Sequence, residues 1–270
     1  MSSTPGRTPF EKLKSYAKIY RYPCGVMDIV ASTSPDFGPK GWESAEDYNR
    51  PATKARTDAQ KDRTCSEAKA EDQERSMRRA RAKVRRLALS NDFRWFVTLT
   101  LDPQKIDRYD AAAVVKKLGQ WCSNHVKRHG LKYILVPERH KDGALHFHGF
   151  FNDALQAVAS GHSTKAGQPI FNLPQWDLGF TAAIEVYGEY AGAVAYVCKY
   201  IGKQGDKPAG RWYYSGGDLC EPDISYADIE VRDLEEQYGN RCWSTYIPGR
   251  KMAVVNGIKE IDYEKELPPG

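Results

Sequence analysis

Apolar residues along this chain change period several times, and each change marks an element. Residues 93–101 (Phe-Arg-Trp-Phe-Val-Thr-Leu-Thr-Leu) are dense in β-branched and aromatic side chains. They predict a strand that ends at Asp102-Pro103. Over 109–128 the apolar residues Val114, Val115, Leu118, Trp121 and Val126 recur at helical spacing, and His129-Gly130 stops the helix. A second strand is expected at 131–137, a hairpin turn at Lys141-Asp142-Gly143 and a third strand at 144–151. Residues 161–177 read as a loop, 180–187 as a fourth strand and 190–203 as a helix. The order β-α-β-β-loop-β-α predicts an α+β fold, an antiparallel sheet with helices on one face.

Outside that span the pattern weakens. Residues 1–50 carry Pro35 and Pro39, just ahead of Pro51, and read as a loosely structured arm with a short helix around 10–20. Residues 52–90 read as one long helix, its apolar stripe formed by Met77, Ala80, Val84 and Leu87. Towards the end, 226–238 reads as helical and 243–255 as a hairpin around Pro248-Gly249. The expected organisation is an N-terminal arm with a basic helix over 1–90, one domain over 91–205, and a C-terminal extension over 206–270 packed on it.

Composition narrows the class. With 270 residues and 41% hydrophobic content a folded core is expected, and a mean hydropathy of −0.64 indicates a polar surface. There is no apolar run of about 18 residues, so no spanning helix is expected. Residues 1–10 lack an apolar signal core, and the expected location is the cytoplasm. Cys24, Cys65, Cys122, Cys198, Cys220 and Cys242 are dispersed, which predicts reduced thiols and no zinc ribbon. No phosphate-binding Gly-x-x-x-x-Gly-Lys-Ser/Thr string occurs, so no fused ATPase is expected.

Charge is placed unevenly. Arg75, Arg78, Arg79, Arg81, Lys83, Arg85 and Arg86 fall within twelve residues that hold no acid. The whole chain is only +5, so everything outside these seven sums to −2. A local basic block on a near-neutral protein points to a nucleic-acid contact. A merely solvated basic helix is the alternative.

Two strings carry candidate chemistry. In His146-Phe147-His148 the alternation of a strand puts both imidazoles on one face, where they can hold a divalent ion. Across a turn at 141–143, Glu138 comes beside them on the neighbouring strand as a third ligand, with His140 as competitor. Two imidazoles and a carboxylate suit Mg2+ or Mn2+ in use, although imidazole binds zinc or nickel more tightly. In the second string, Tyr196, Lys199, Tyr200 and Lys203 share one stripe of a helix. A metal, a phenol and an ammonium suit phosphodiester cleavage: the metal polarises, a tyrosine attacks, a lysine steadies the phosphate. Tyr187 and Tyr190 have no lysine three residues on and read as structural.

The strings Phe96-Val97-Thr98-Leu99-Thr100-Leu101-Asp102-Pro103, Leu145-His146-Phe147-His148-Gly149-Phe150 and Tyr196 to Lys203 resemble, in order, the three motifs of the HUH endonuclease superfamily. The doubled Tyr-x-x-Lys resembles the rolling-circle replication initiators of single-stranded DNA phages and plasmids more than the single-tyrosine plant-virus form. The resemblance covers about residues 90–205. It implies a ferredoxin-like or RRM-like sheet with the His-x-His strand central, and strengthens Glu138 as the third ligand. It implies nicking and rejoining of single-stranded DNA at an origin through a 5′-phosphotyrosine on Tyr196, with Tyr200 alternating in a later step. A host polymerase would extend the 3′-OH, and a host helicase is an expected partner. A relaxase or an HUH transposase shares this chemistry. A reading of a different class is a non-catalytic module whose Trp95, Phe96 and basic helix contact nucleic acid.

Overall fold

The computed structural model describes residues 15–33, 65–186, 190–203, 205–247 and 250–260. The chain runs β1 (Tyr16–Tyr22), β2 (Val26–Ser32), α1 (Cys65–Leu89), β3 (Trp95–Leu101), α2 (Ala111–His129), β4 (Tyr133–Arg139), β5 (Leu145–Phe151), β6 (Val158–Ser163), β7 (Pro169–Asn172), β8 (Gly179–Glu185), α3 (Tyr190–Tyr200), β9 (Tyr214–Gly216), β10 (Asp223–Ala227), α4 (Val231–Tyr238), β11 (Cys242–Ile247) and β12 (Arg250–Lys259). The architecture is α+β, with two antiparallel sheets. Among the described residues no helix is long and apolar enough to cross a membrane.

Two compact units result, and their boundaries differ from the expected arm, domain and extension. Residues 15–33 and 222–260 form one unit, and 65–221 the other. In the first, strand order is β10-β1-β2-β12-β11, so the two ends of the chain share a sheet. Ala17, Ile19, Ile29, Ala253 and Val255 bury one face beneath Val231 and Leu234 of α4. The region expected as a loose arm thus contains a hairpin. Tyr16, Tyr20 and Tyr22 lie on one side of β1, with Ala17 and Ile19 on the other, and all five are buried. A strand apolar on both faces shows no alternation, which is why its period could not be read. The expected helix end at 10–14, the expected helical stretch 52–64 and the turn at 248–249 lie outside the described residues.

The second unit has strand order β6-β7-β8-β3-β5-β4-β9. Helix α2 starts where the Asp110 carboxylate accepts hydrogen bonds from the backbone N–H groups of Ala112 and Ala113, and ends at Gly130 with φ of 67°. Its Val114, Leu118 and Trp121 pack on Val97, Leu99, Phe147 and Phe151. Burying each such side chain contributes roughly 1.5–3 kcal/mol. Helices occupy both faces of the sheet rather than one: α2 covers the odd-numbered positions of β3 and β5, while α3 lies across β4 and β5 on the even-numbered face, with α1 against α3. The expected loop over 161–177 contains part of β6 and all of β7, a largely exposed ribbon with too few buried positions to show a period.

Strand β5 is interior, between β3 and β4, though β3 and not β5 is the middle strand of the seven, and Gly149 belongs to that placement. A Cβ built there would come 1.8 Å from the Ile134 carbonyl oxygen and 3.0 Å from Leu135 Cα. Gly149→Ala therefore forces β4 and β5 apart. Overpacking of this kind costs about 1–3 kcal/mol, which for a domain of this size lowers Tm by roughly 2–12 °C. Thermal unfolding followed by circular dichroism checks it; an unchanged Tm would show that the two strands have slack.

Candidate active site

The hairpin β4–β5 builds the site. Its turn closes with the His140 backbone N–H donating to the Ala144 carbonyl at 2.8 Å and that of Gly143 donating to the His140 carbonyl at 2.9 Å. This register sets Glu138 opposite His146 and Val136 opposite His148. On the other flank Thr100 faces His146 and Thr98 faces His148. All are even-numbered positions and share the face away from α2. Glu138 Oε2 lies 3.2 Å from His146 Nε2 and 3.1 Å from His148 Nε2, and the two Nε2 atoms are 2.8 Å apart. The three side chains are buried and form a cluster able to hold a metal ion. His140 is exposed, its ring 4.6 Å from that of His146, and it stands outside the cluster.

The chemistry of these donors fits a divalent cation. Burial pushes the His148 imidazole down to about 4, with His146 adding to the effect, against the opposing pull of Glu138. Burial likewise lowers His146. Both rings are then neutral near pH 7, as metal ligation requires. Burial alone would raise the Glu138 carboxyl, but the Lys203 hydrogen bond and the two histidines outweigh it and hold the group below the ordinary carboxylate range. His148 Nδ1 is 3.1 Å from Thr98 Oγ1. With its proton on Nδ1, the ring donates to that hydroxyl and points the Nε2 lone pair at Glu138 and His146. Lone pairs converging this closely repel one another unless a proton or a cation lies between them.

The tyrosine stripe meets the cluster from above. Tyr200 stacks on His148, with ring centroids 4.1 Å apart and planes at 16°, and its hydroxyl donates to Tyr196 Oη at 2.7 Å. Burial and the Tyr196 hydrogen bond raise the Tyr200 phenol. Tyr196 is 49% exposed and sits edge-on to Phe96. Lys203 Nζ donates to Glu138 Oε1 at 2.6 Å and lies 5.2 Å from the Tyr200 ring centre. Tyr196, Tyr200 and Lys203 are thus brought to the Glu138–His146–His148 cluster. Lys199 is exposed on α3 and, among the described residues, is not part of that contact set. Helix α3 ends at Tyr200 rather than 203, so Lys203 reaches back from a turn. Tyr190 donates to the Ala88 carbonyl at 2.7 Å, a structural role as expected, whereas Tyr187 lies outside the described residues. Sequence reasoning missed Thr98, although its own alternation carries the signal: Thr98 and Thr100 share parity within a strand beside the histidines.

The basic block divides in two. Arg75, Arg78 and Arg79 are exposed, with Arg75 and Arg78 beside Asp72 and Glu74 at 3.3 and 3.6 Å. Arg81 donates from Nε and Nη2 to the Ile201 carbonyl at 3.0 and 2.7 Å, and Lys83 pairs with Glu221. Arg85 and Arg86 are half-buried, Arg85 near Cys198. Met77 packs over Gly202, where a Cβ would come 1.9 Å from its sulfur. Helix α1 therefore clamps the end of α3 and the turn carrying Lys203, and it is no detached arm. Trp95 is buried in the α2 core and offers no surface to a base.

A family model for the replication-associated protein ORF2 group matches residues 94–205. The match runs from the start of β3 to just past Lys203. It includes every member of the Glu138–His146–His148–Tyr196–Tyr200–Lys203 constellation and omits α1, β1 and β2. It relates this segment to proteins of DNA replication. No curated protein and no solved structure matches the chain.

Two outcomes test the site. The chain should bind one Mn2+, measured by calorimetry, and lose it on His146→Ala or His148→Ala. Thr98→Val removes the partner of Nδ1 and should weaken Mn2+ about 10–100-fold, with Thr98→Ser near wild type. Mn2+ binding unaltered in the histidine variants would dissociate the cluster from the metal. The division of the basic block predicts that Arg81→Ala destabilises the fold by about 1–3 kcal/mol by leaving Ile201 unpaired. Neutralising Arg75, Arg78 and Arg79 should leave Tm unchanged and lower the salt slope of DNA binding, by up to about 0.7–0.9 for each phosphate no longer neutralised. An unaltered slope would mark that face as merely solvated.

Proposed function

We propose that this protein is a replication initiator that nicks and rejoins single-stranded DNA at an origin through a 5′-phosphotyrosine, starting rolling-circle replication. The observation that carries the reading is the placement of two adjoining phenols and one lysine over a buried Glu-His-His cluster. Mg2+ or Mn2+ held by Glu138, His146 and His148 would supply Lewis acidity toward a phosphodiester oxygen. The remaining work falls to the chain. Tyr196 attacks phosphorus as its phenol proton passes to water, and the bond to the 3′ oxygen breaks, that oxygen taking a proton from water, leaving the 5′ phosphate esterified to Tyr196 and a free 3′-OH. Tyr200, donating to Tyr196 Oη, steadies negative charge on the attacking oxygen. Lys203, anchored on Glu138, presents an ammonium to the phosphate. The exposed arginines of α1 hold the backbone of the same DNA, and a host polymerase and helicase act on the 3′ end and the duplex ahead. Because the ester keeps the energy of the broken bond, attack by a 3′-OH reseals the strand without ATP.

Tyr196→Phe keeps the ring and deletes the attacking oxygen. It should eliminate the covalent adduct that wild-type protein forms with single-stranded DNA of its own replicon and Mn2+, read on a denaturing gel. Tyr200→Phe should still give an adduct, formed more slowly, and fail in strand transfer. Peptide mapping locates the ester, and an adduct on Tyr200 alone would reverse the two roles.

A further inference from the structure

Phe180 is 66% exposed although β8 is an interior strand, paired with β3 on one side and β7 on the other. It stands on the histidine-bearing face. Register places Phe180 opposite Thr100, Thr100 opposite His146, and His146 opposite Glu138. These four side chains form one line across the sheet, perpendicular to the strands. Phe180 is two strand spacings from His146, roughly 10 Å. The half-buried Thr98, Thr100 and Ala182 floor the space between Phe180 and the Tyr196–Phe96 pair. The backbone beneath Phe180 is tightly held: a Cβ on Gly179 would meet the Thr100 carbonyl oxygen at 2.1 Å, and Trp176 Nε1 donates to that same carbonyl at 3.2 Å.

A single exposed apolar residue needs no explanation in general. This one is a rigidly mounted aromatic ring on an open sheet face, in line with the metal ligands. We propose that Phe180 is a stacking shelf for one nucleobase of the single-stranded DNA substrate, holding the strand across β8 and β3 with a phosphodiester over Glu138, His146 and His148. The inference rests on the nuclease reading for the identity of the strand. A base within a duplex has no free face to give the ring, so the shelf selects single strands. Stacking accepts any base, so Phe180 contributes affinity and register, and the origin sequence is read elsewhere.

The test measures binding of fluorescein-labelled dT20 to the full chain in EDTA, where cleavage does not interfere. Stacking on an aromatic ring corresponds to roughly a 5- to 140-fold effect on Kd. Phe180→Ala and Phe180→Leu should weaken dT20 within that range, Phe180→Trp should stay within about two-fold of wild type, and a 20-base-pair duplex should bind all four proteins alike. Tm should be unchanged, since the ring is exposed. Wild-type affinity in Phe180→Ala overturns the shelf, and wild-type affinity in Phe180→Leu shows simple apolar contact, which also overturns it. Adduct formation with Mn2+ is scored separately. An adduct without a Phe180 effect removes the shelf and leaves the nuclease reading standing. A Phe180 effect with no adduct from wild-type protein does the reverse.

Discussion

The register of β4 against β5 is the constraint on which the site depends. Side chains alternate along a strand, so a slip of one residue between the two would put Glu138 on the opposite face from His146 and His148. The face packed by α2 carries Phe147 and Phe151 of β5 beside Leu99 and Leu118, and a slip that turned β5 over would expose the two phenylalanines while burying both imidazoles. The tight turn at 140–143 and the close approach at Gly149 fix the register from the hairpin's end and from its middle. The apolar core on one face thus holds the polar cluster on the other in place, and the energy of the core is what keeps convergent lone pairs together.

Charge at the site is arranged around one buried carboxylate. Glu138 faces two neutral imidazoles with one oxygen and Lys203 with the other. The lysine is 57% exposed, so water screens the pair and its worth in stability is small. Its effect is positional. It draws the turn after α3 down onto the sheet, and with it the Tyr200 ring onto His148. Arg81 and Met77 of α1 hold the same turn from the far side. A helix that reads as a DNA-binding arm because of its charge therefore uses part of that charge to fix the lysine beside the Glu138–His146–His148 cluster.

Legibility followed periodicity. The segments β3, α2 and β5 show apolar spacing that could be read directly, and the turn at 141–143 delimited β4, which is buried on both sides. Glu138 was reachable because a short hairpin converts sequence distance into strand register. The strands β1 and β2 bury apolar residues on both sides and β6 and β7 are short and largely exposed, so no alternation marked them. The sharing of one sheet by the two chain ends has no local signal at all, since β1 meets β10 across some two hundred residues. The roles of the basic residues were opaque for a related reason: composition counts charges, but only packing separates Arg79, which faces water, from Arg81, which holds a carbonyl.

The doubled tyrosine carries a physical limit as well as an opportunity. Two phenol oxygens 2.7 Å apart share one proton between them, and deprotonating both would set like charges in contact. At most one can be an oxyanion at a time. Burial and the hydrogen bond to Tyr196 make Tyr200 hold its proton, which under the proposed reaction leaves Tyr196, half in water, as the attacking phenol. In the proposed reaction the ester removes the Tyr196 phenolate but sets a phosphodiester anion beside Tyr200, whose charge the neighbouring Lys203 ammonium offsets. Under that proposal the two phenols act one after the other and never together. The one-at-a-time use of two phenols that the proposed reaction needs is thus favoured by one short hydrogen bond.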